Sequence, residues 1–271
     1  MLFFSKMEAT GNDFIIIDTI DNNFLYDIKL LSKYLCDRNM GVGADGVIFL
    51  YKSKKADFKM KIINKDGTEA EMCGNGIRCL AKYIYEKYLN DMKIFNIETL
   101  AGVKTVEILN SGKEVKVDMG KPIFSYKEIP VFYEQNKSIN IEFENDTYEF
   151  FPISMGNPHV ICFKDDIEQI KIDRIGNLIE NYKYFPNKTN VEFAQIIDRN
   201  NIKLRVWERG VGETLSCGTG TTATAIMANK KKFTGNEVDI EVKGGKLKVI
   251  FNEKAYLIGS ARKVFEGNLD I

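Results

Sequence analysis

Histidine occurs once in this chain, tryptophan once and proline five times in 271 residues. One imidazole cannot build a multi-histidine metal centre. The five cysteines, Cys36, Cys73, Cys79, Cys162 and Cys217, form no C-x-x-C pair. No metal site is therefore expected. The odd cysteine count, with no basic-then-apolar leader at the N-terminus, argues against a secreted disulfide framework. No apolar run reaches membrane-span length. Lys and Arg number 38, as do Asp and Glu, so formal net charge is zero. That balance argues against nucleic acid or an anionic membrane as the main partner. The glycine-rich stretch Gly41 to Gly46 leads into a strand and not a helix, which weakens it as a phosphate cradle. No cofactor motif is visible. The expected class is a soluble cytoplasmic protein without a cofactor.

What the chain does have is a repeat. Val206-Trp207-Glu208-Arg209-Gly210 runs through a glycine-bearing turn into Leu215-Ser216-Cys217-Gly218-Thr219-Gly220. Ile62-Ile63-Asn64-Lys65-Asp66 runs likewise into Glu71-Met72-Cys73-Gly74-Asn75-Gly76, and both cysteines and the Asn64/Glu208 pair are 144 positions apart. Gly46-Val47 answers Asn190-Val191 at the same offset, and Gly11-Asn12 answers Gly156-Asn157 at 145. Two copies of one unit follow from this, each ending a strand in a Cys-Gly-x-Gly helix start.

Strand patterns cover residues 2–7, 14–18, 47–51, 58–64, 94–98, 103–109 and 114–119 in the first copy. The second copy shows them at 148–153, 159–163, 190–196, 202–207, 238–242, 247–251 and 255–258. Helical spacing marks 28–37, with Asp27 as its cap, and 77–89, 167–181 and 221–232. Many strands around one strongly apolar helix per copy give the fold class: α/β (α+β), two pseudo-symmetric domains, each a curled and mostly antiparallel sheet around a central helix. Gly120-Lys121-Pro122 is the linker candidate. The expected domains are residues 1–119 plus a returning 263–271, and residues 120–262.

A cysteine at a helix start meets unpaired N–H groups and the positive end of the helix dipole, and tends to ionise more readily there. Two such thiols on pseudo-symmetric copies can face each other across a domain interface. That suits inversion of a stereocentre, which needs a base on one face of a carbon and an acid on the other. Gly74, Asn75, Gly218 and Thr219 offer backbone N–H groups to a substrate carboxylate, where charge gathers as the α-proton leaves. Glu208, Arg209 and His159 belong to the same site by their places in the repeat, His159 as a group that orients or tunes a thiol. Cys36, Cys79 and Cys162 read as buried small hydrophobes.

These residues resemble the diaminopimelate epimerases along essentially the whole chain. The resemblance rests on Gly11-Asn12-Asp13-Phe14, Asn64 with Asp66-Gly67, Met72 to Cys79, Gly156-Asn157-Pro158-His159, Asn190 to Phe193, Glu208-Arg209-Gly210, Gly212-Glu213-Thr214 and Cys217 to Gly220. It implies a cofactor-independent epimerase converting LL-2,6-diaminopimelate to the meso form, in lysine and peptidoglycan-precursor synthesis, working as a homodimer. It implies Cys73 and Cys217 as the acid/base pair. Asn12, Asn64, Asn157, Asn190 and Arg209 would read the distal end of the substrate. Glu208 would meet the reacting ammonium and, with His159, tune the thiols. Gly46 departs from a glutamine found in some members, and Ser260 from a common proline. Two other readings stand beside this one: a proline racemase or hydroxyproline epimerase type, and a non-catalytic amino-acid-binding protein. The first usually shows Cys-Gly-His-Gly where this chain has Cys73-Gly74-Asn75-Gly76, and both thiols argue against the second.

Overall fold

The computed structural model describes residues 1–20, 24–89, 91–133 and 138–270. The chain divides into two compact units, Met1–Asp118 with Ile258–Ile271, and Met119–Leu257. Along the first stretch lie β1 (Leu2–Ala9), β2 (Asn12–Asp18), α1 (Ile28–Cys36), β3 (Gly46–Lys52), β4 (Phe58–Asn64), β5 (Glu69–Ala70), α2 (Gly74–Tyr88), β6 (Ile94–Thr99), β7 (Gly102–Leu109) and β8 (Glu114–Gly120). The second carries β9 (Ile139–Phe143), β10 (Asp146–Ser154), β11 (Pro158–Phe163), α3 (Ile172–Glu180), β12 (Asn190–Ile196), β13 (Asn201–Glu208), β14 (Gly212–Thr214), α4 (Gly218–Lys230), β15 (Glu237–Val242) and β16 (Gly245–Phe251), and β17 (Ala255–Ser260) follows. The last strand, β18 (Arg262–Leu269), returns to the first unit and pairs antiparallel with β1.

The two units repeat one pattern. In the first, β1–β2 is antiparallel, β2–β3 parallel, β3–β4 and β4–β5 antiparallel, β4–β6 parallel and β6–β7 antiparallel. In the second, β10–β11, β11–β12, β12–β13, β13–β14, β13–β15 and β15–β16 follow the same order of signs. Register repeats as well: Val47 faces Ile63 as Val191 faces Trp207, and Ile62 faces Ala70 as Val206 faces Thr214. A one-residue slip would turn every buried side chain outward, so shared register fixes the same positions inward in both units.

One helix is enclosed in each unit. Helix α2 packs on β1, β2, β3, β4, β7 and β18, and α4 packs on β10, β11, β12, β13, β15 and β16. A helix covered on all sides shows no single apolar face. Helix α4 meets that condition with small residues: Thr221, Thr222, Thr224, Ala223 and Ala228 are wholly buried. Helix α1 is capped by Asp27, whose carboxylate accepts from the amides of Lys29 and Leu30. The fold class expected from the repeat is therefore the one observed. Among the described residues no helix is long and apolar enough to cross a membrane.

Several details differ from the sequence reading, among them the short strands β5 and β14 inside the glycine-bearing turns. Helix α3 starts at Ile172, five residues after the expected 167. The Arg205 guanidinium donates to the carbonyls of Ile167, Glu168 and Ile170, which draws them away from a helical ladder. Strand β9 had no counterpart in the sequence reading; it pairs with β10 and buries Ile139 and Ile141.

Candidate functional site

In the first unit, Cys73 is the N-cap of α2. Its backbone is extended (φ −134°, ψ 120°), and its sulfur accepts from the amide of Gly76 at 3.4 Å. Asn12, at the start of β2, reaches the same spot. Its Oδ1 lies 3.7 Å from Cys73 Sγ and accepts from Asn75 Nδ2 at 3.4 Å, while its Nδ2 donates to Asp45 at 2.6 Å. Asn12, Cys73, Gly74 and Asn75 thus form one cluster at the head of the enclosed helix. Asn64 ends β4 and donates to Thr68 Oγ1 at 3.1 Å across the β4–β5 loop. Gly46, the departure noted above, is demanded by backbone packing. A Cβ there would stand 2.9 Å from the carbonyl oxygen of Ile63.

Beneath this cluster lies a residue whose role the sequence reading left open. Arg78, one turn into α2, is wholly buried and donates to the carbonyls of Gly74 and Ser260 and to the hydroxyl of Thr10. Burial draws its guanidinium down to about 10, with nearby Cys79 and Cys73 opposing that shift.

The second unit has more charge at the same place. Cys217 caps α4 and is 6% exposed. Its thiol donates to the carboxyl of Glu208 at the end of β13, and Thr219 Oγ1 lies 3.4 Å from its sulfur. Thr214 also donates to Glu208, at 2.6 Å. His159 on β11 is wholly buried, with Nδ1 2.6 Å from Glu192 and Nε2 3.0 Å from Asn157 Oδ1. Asn157 in turn donates to Thr219 Oγ1 at 3.3 Å. Asn190 and Arg209 form a separate group. Asn190 spends its amide on the backbone, donating to Pro158 and accepting from the Arg209 N–H, while the Arg209 guanidinium, on an exposed residue, donates to the Asn187 carbonyl.

The expectation that a helix start eases ionisation needs correction at Cys217. Burial, and then the carboxyls of Glu208 and Glu192, push its thiol well above the usual range. Desolvation of a thiolate outweighs the dipole where no water reaches it. Burial likewise raises the carboxyl of Glu208, against the hydrogen bonds from Thr214 and Cys217. Cys36, Cys79 and Cys162 are buried, as the sequence implied, and burial pushes Cys36 and Cys162 up to about 12.

Glu192 is the residue that sequence reasoning missed. It is wholly buried, and its counterpart 144 positions earlier is Ile48. A charged residue where the repeat has an aliphatic one was the available signal. Its neighbour Gly220 on α4 is fixed by it, because a Cβ there would stand 2.4 Å from the Glu192 carboxyl. Among the described residues no cluster of three or more His, Cys, Asp or Glu side chains is arranged to hold a metal. An open depression of about 520 Å³ in the first unit, lined by Lys52, Lys59, Lys61, Glu69 and Glu98, contains none of the candidate residues.

Known proteins match this arrangement along its length. The chain is 44% identical to a diaminopimelate epimerase of Methanococcus maripaludis over 99% of each chain. It is 45% identical to one of Carboxydothermus hydrogenoformans over 97% of this chain and 98% of that one. Among solved structures, a hydroxyproline epimerase from Agrobacterium vitis superposes with a TM-score of 0.73 at 13% identity, covering 98% of this chain and 91% of its own. A Bacillus anthracis protein of the phenazine biosynthesis PhzF family gives 0.70 at 18% identity, covering 100% and 99%. These two share the fold. The family model for diaminopimelate epimerase matches residues 4–125 and 151–264. With whole-length relatives of that name and a repeated cysteine-capped helix, the chain belongs to the diaminopimelate epimerase family.

Proposed function

We propose that Cys73 and Cys217 are the two proton carriers with which this epimerase converts LL-2,6-diaminopimelate to meso-diaminopimelate, in lysine and peptidoglycan-precursor synthesis. The observation that carries the reading is the pair of cysteine N-caps, 144 positions apart, each opening the enclosed helix of its unit. One thiolate takes the α-proton and the other thiol returns a proton from the opposite face, so the roles exchange when the reaction reverses. The amides of Gly74, Asn75, Gly218 and Thr219 receive the carboxylate at the reacting carbon. There the two helix starts oppose the negative charge that builds as the proton leaves. Glu208 meets the reacting ammonium and exchanges a proton with Cys217, to which it is already hydrogen-bonded. His159 tunes the thiols.

Asn12, Asn64, Asn157, Asn190 and Arg209 read the distal amino-acid end. A substrate with two such ends accounts for a set of readers made of four asparagines and one arginine. The two compact units, residues 1–118 with 258–271 and residues 119–257, are the two halves of the enzyme. The enzyme takes a free small molecule, needs no cofactor, and works in the cytoplasm as a homodimer.

The deciding experiment offers LL-diaminopimelate, proline and trans-4-hydroxyproline in deuterated water without pyridoxal phosphate. Deuterium should enter only diaminopimelate, at the inverted carbon. Wash-in from proline instead would support the proline racemase reading, and no wash-in from any of the three would support a binding protein.

A further inference from the structure

Four side chains of the second unit stand in a line that ends at Cys217, and two of its groups, Glu192 and the Thr219 hydroxyl, have no part in the proposed chemistry. Glu192 Oε1 meets His159 Nδ1 at 2.6 Å, and His159 Nε2 meets Asn157 Oδ1 at 3.0 Å. Asn157 Nδ2 meets Thr219 Oγ1 at 3.3 Å, and Thr219 Oγ1 meets Cys217 Sγ at 3.4 Å. The chemistry of the atoms fixes the direction. An amide oxygen only accepts, so the proton between His159 and Asn157 belongs to Nε2. An amide nitrogen only donates, so Asn157 gives its proton to Thr219. The threonine hydroxyl accepts there and keeps one proton of its own; because the Cys217 thiol gives its proton to Glu208, the hydroxyl proton is the one that turns to the sulfur. A second proton sits between Nδ1 and the Glu192 carboxyl. Glu192 and His159 are both wholly buried, and Glu192 Oε2 has no hydrogen-bond partner among the described residues. A carboxyl buried so deeply, bonded to the imidazole and to the Val160 amide, is costly unless that ring must be held.

We propose that Glu192, His159, Asn157 and Thr219 form a one-way hydrogen-bond chain that delivers a donor to the sulfur of Cys217, with Glu192 and the Thr219 hydroxyl as positioning residues. The inference rests on the reading of Cys217 as a proton carrier. Glu208 stands at the sulfur as the acceptor of its proton, and Thr219 as the donor to the thiolate left behind. The titratable groups that act on Cys217 are Glu208 from β13 and Glu192 from β12, and His159 from β11 acts on Glu208. The first unit has no equivalent, since Phe14 and Ile48 occupy the places of His159 and Glu192.

The test separates the two thiols by stereochemistry. A β-fluoro diaminopimelate loses HF after proton removal from one face alone, so Cys73→Ser reports on Cys217 and Cys217→Ser reports on Cys73. Thr219→Val should slow elimination in the Cys73→Ser background at least about tenfold more than in the Cys217→Ser background, and Thr219→Ser should restore the ratio. Glu192→Gln should shift the ratio in the same direction. Because His159 is the sole histidine, its imidazole nitrogen spectrum is unambiguous. The native protein should show a protonated Nε2 and a far-downfield Nδ1 proton, the latter lost in Glu192→Gln. Equal slowing of both isomers by Thr219→Val, or a bare Nε2 in the native protein, overturns the chain. If the two cysteine variants fail to prefer opposite isomers, the two-thiol reading has failed, and the imidazole spectrum still decides the chain.

Discussion

Cys73 and Cys217 occupy equivalent helix starts in opposite electrical surroundings. A buried guanidinium, Arg78, lies one turn below Cys73, whereas Cys217 faces the carboxyls of Glu208 and Glu192. Alanine at either position should abolish epimerisation, because each face of the carbon needs its own carrier. Serine at either position should leave one-sided elimination from a β-fluoro substrate, Cys73→Ser from one isomer and Cys217→Ser from the other. The raised thiol of Cys217 adds a sign. Below its elevated value the thiolate is the minor form, and its fraction grows about tenfold per pH unit. Elimination in Cys73→Ser should therefore climb steadily from pH 7 to pH 9, read by fluoride release; a flat profile there would contradict the raised thiol. Gly220 belongs to this scale too. Alanine there drives a methyl into the Glu192 carboxyl. Overpacking of that kind costs roughly 1–3 kcal/mol, which urea denaturation would show as a lower midpoint.

At the level of elements, the turn from β1 into β2 is held by an ion cluster that adjoins Asn12 of the candidate site. Asp13 pairs with Lys6 at 2.6 Å and Arg38 at 2.7 Å, and Arg38 also reaches Asp45 at 3.0 Å. Burial opposes ionisation of Asp13, but the bonds from Arg38 and Lys6 outweigh it and hold its carboxyl down at about 2. A depressed carboxyl contributes stability above its unfolded value near 4 and loses it as pH falls toward 2. Asp13→Asn should cost about 1–2 kcal/mol at pH 7, after discounting for partial exposure, and almost nothing near pH 2. An equal loss at both pH values in urea titrations would remove the ion cluster as the cause.

Elements were legible in the sequence where local and tertiary demands agree. The β-branched runs of β2, β3 and β12 are buried strands, and the two cysteine starts are N-caps, because the same pattern occurs twice and chance cannot align it. The onset of α3 was not legible, since Arg205, more than thirty residues away, claims the carbonyls that would have begun it. Strand β9 was hidden for a similar reason: its five residues are ordered by pairing with β10, which no local pattern announces. At the site, the asparagines and cysteines stood out by position. Glu192 did not, because its neighbours Val191 and Phe193 made the stretch read as plain core, and only the contrast with Ile48 betrays it.

On the scale of the whole molecule, the two units differ in how the chain builds them. The second is continuous, Met119–Leu257, and owns a core that includes Phe150, Val160, Ile175, Val191 and Phe193. The first is closed only when β18 arrives from the far end of the chain. Strand β1 lies between β2 and β18, with Leu2 opposite Leu269 and Glu8 opposite Arg262. Phe4 packs edge-on against Phe265 at 5.9 Å and stays 4% exposed. Removing residues 262–271 uncovers a whole edge of β1 and the ring of Phe4, which invites pairing with other chains. A fragment of residues 119–257 should fold alone, with a cooperative urea transition and dispersed amide resonances, because it holds β9 to β16 and the helix they enclose. A fragment of residues 1–118 should not, and should recover a cooperative transition when a peptide of residues 258–271 is supplied. A cooperative transition in 1–118 without the peptide would show that β18 is dispensable to the first unit.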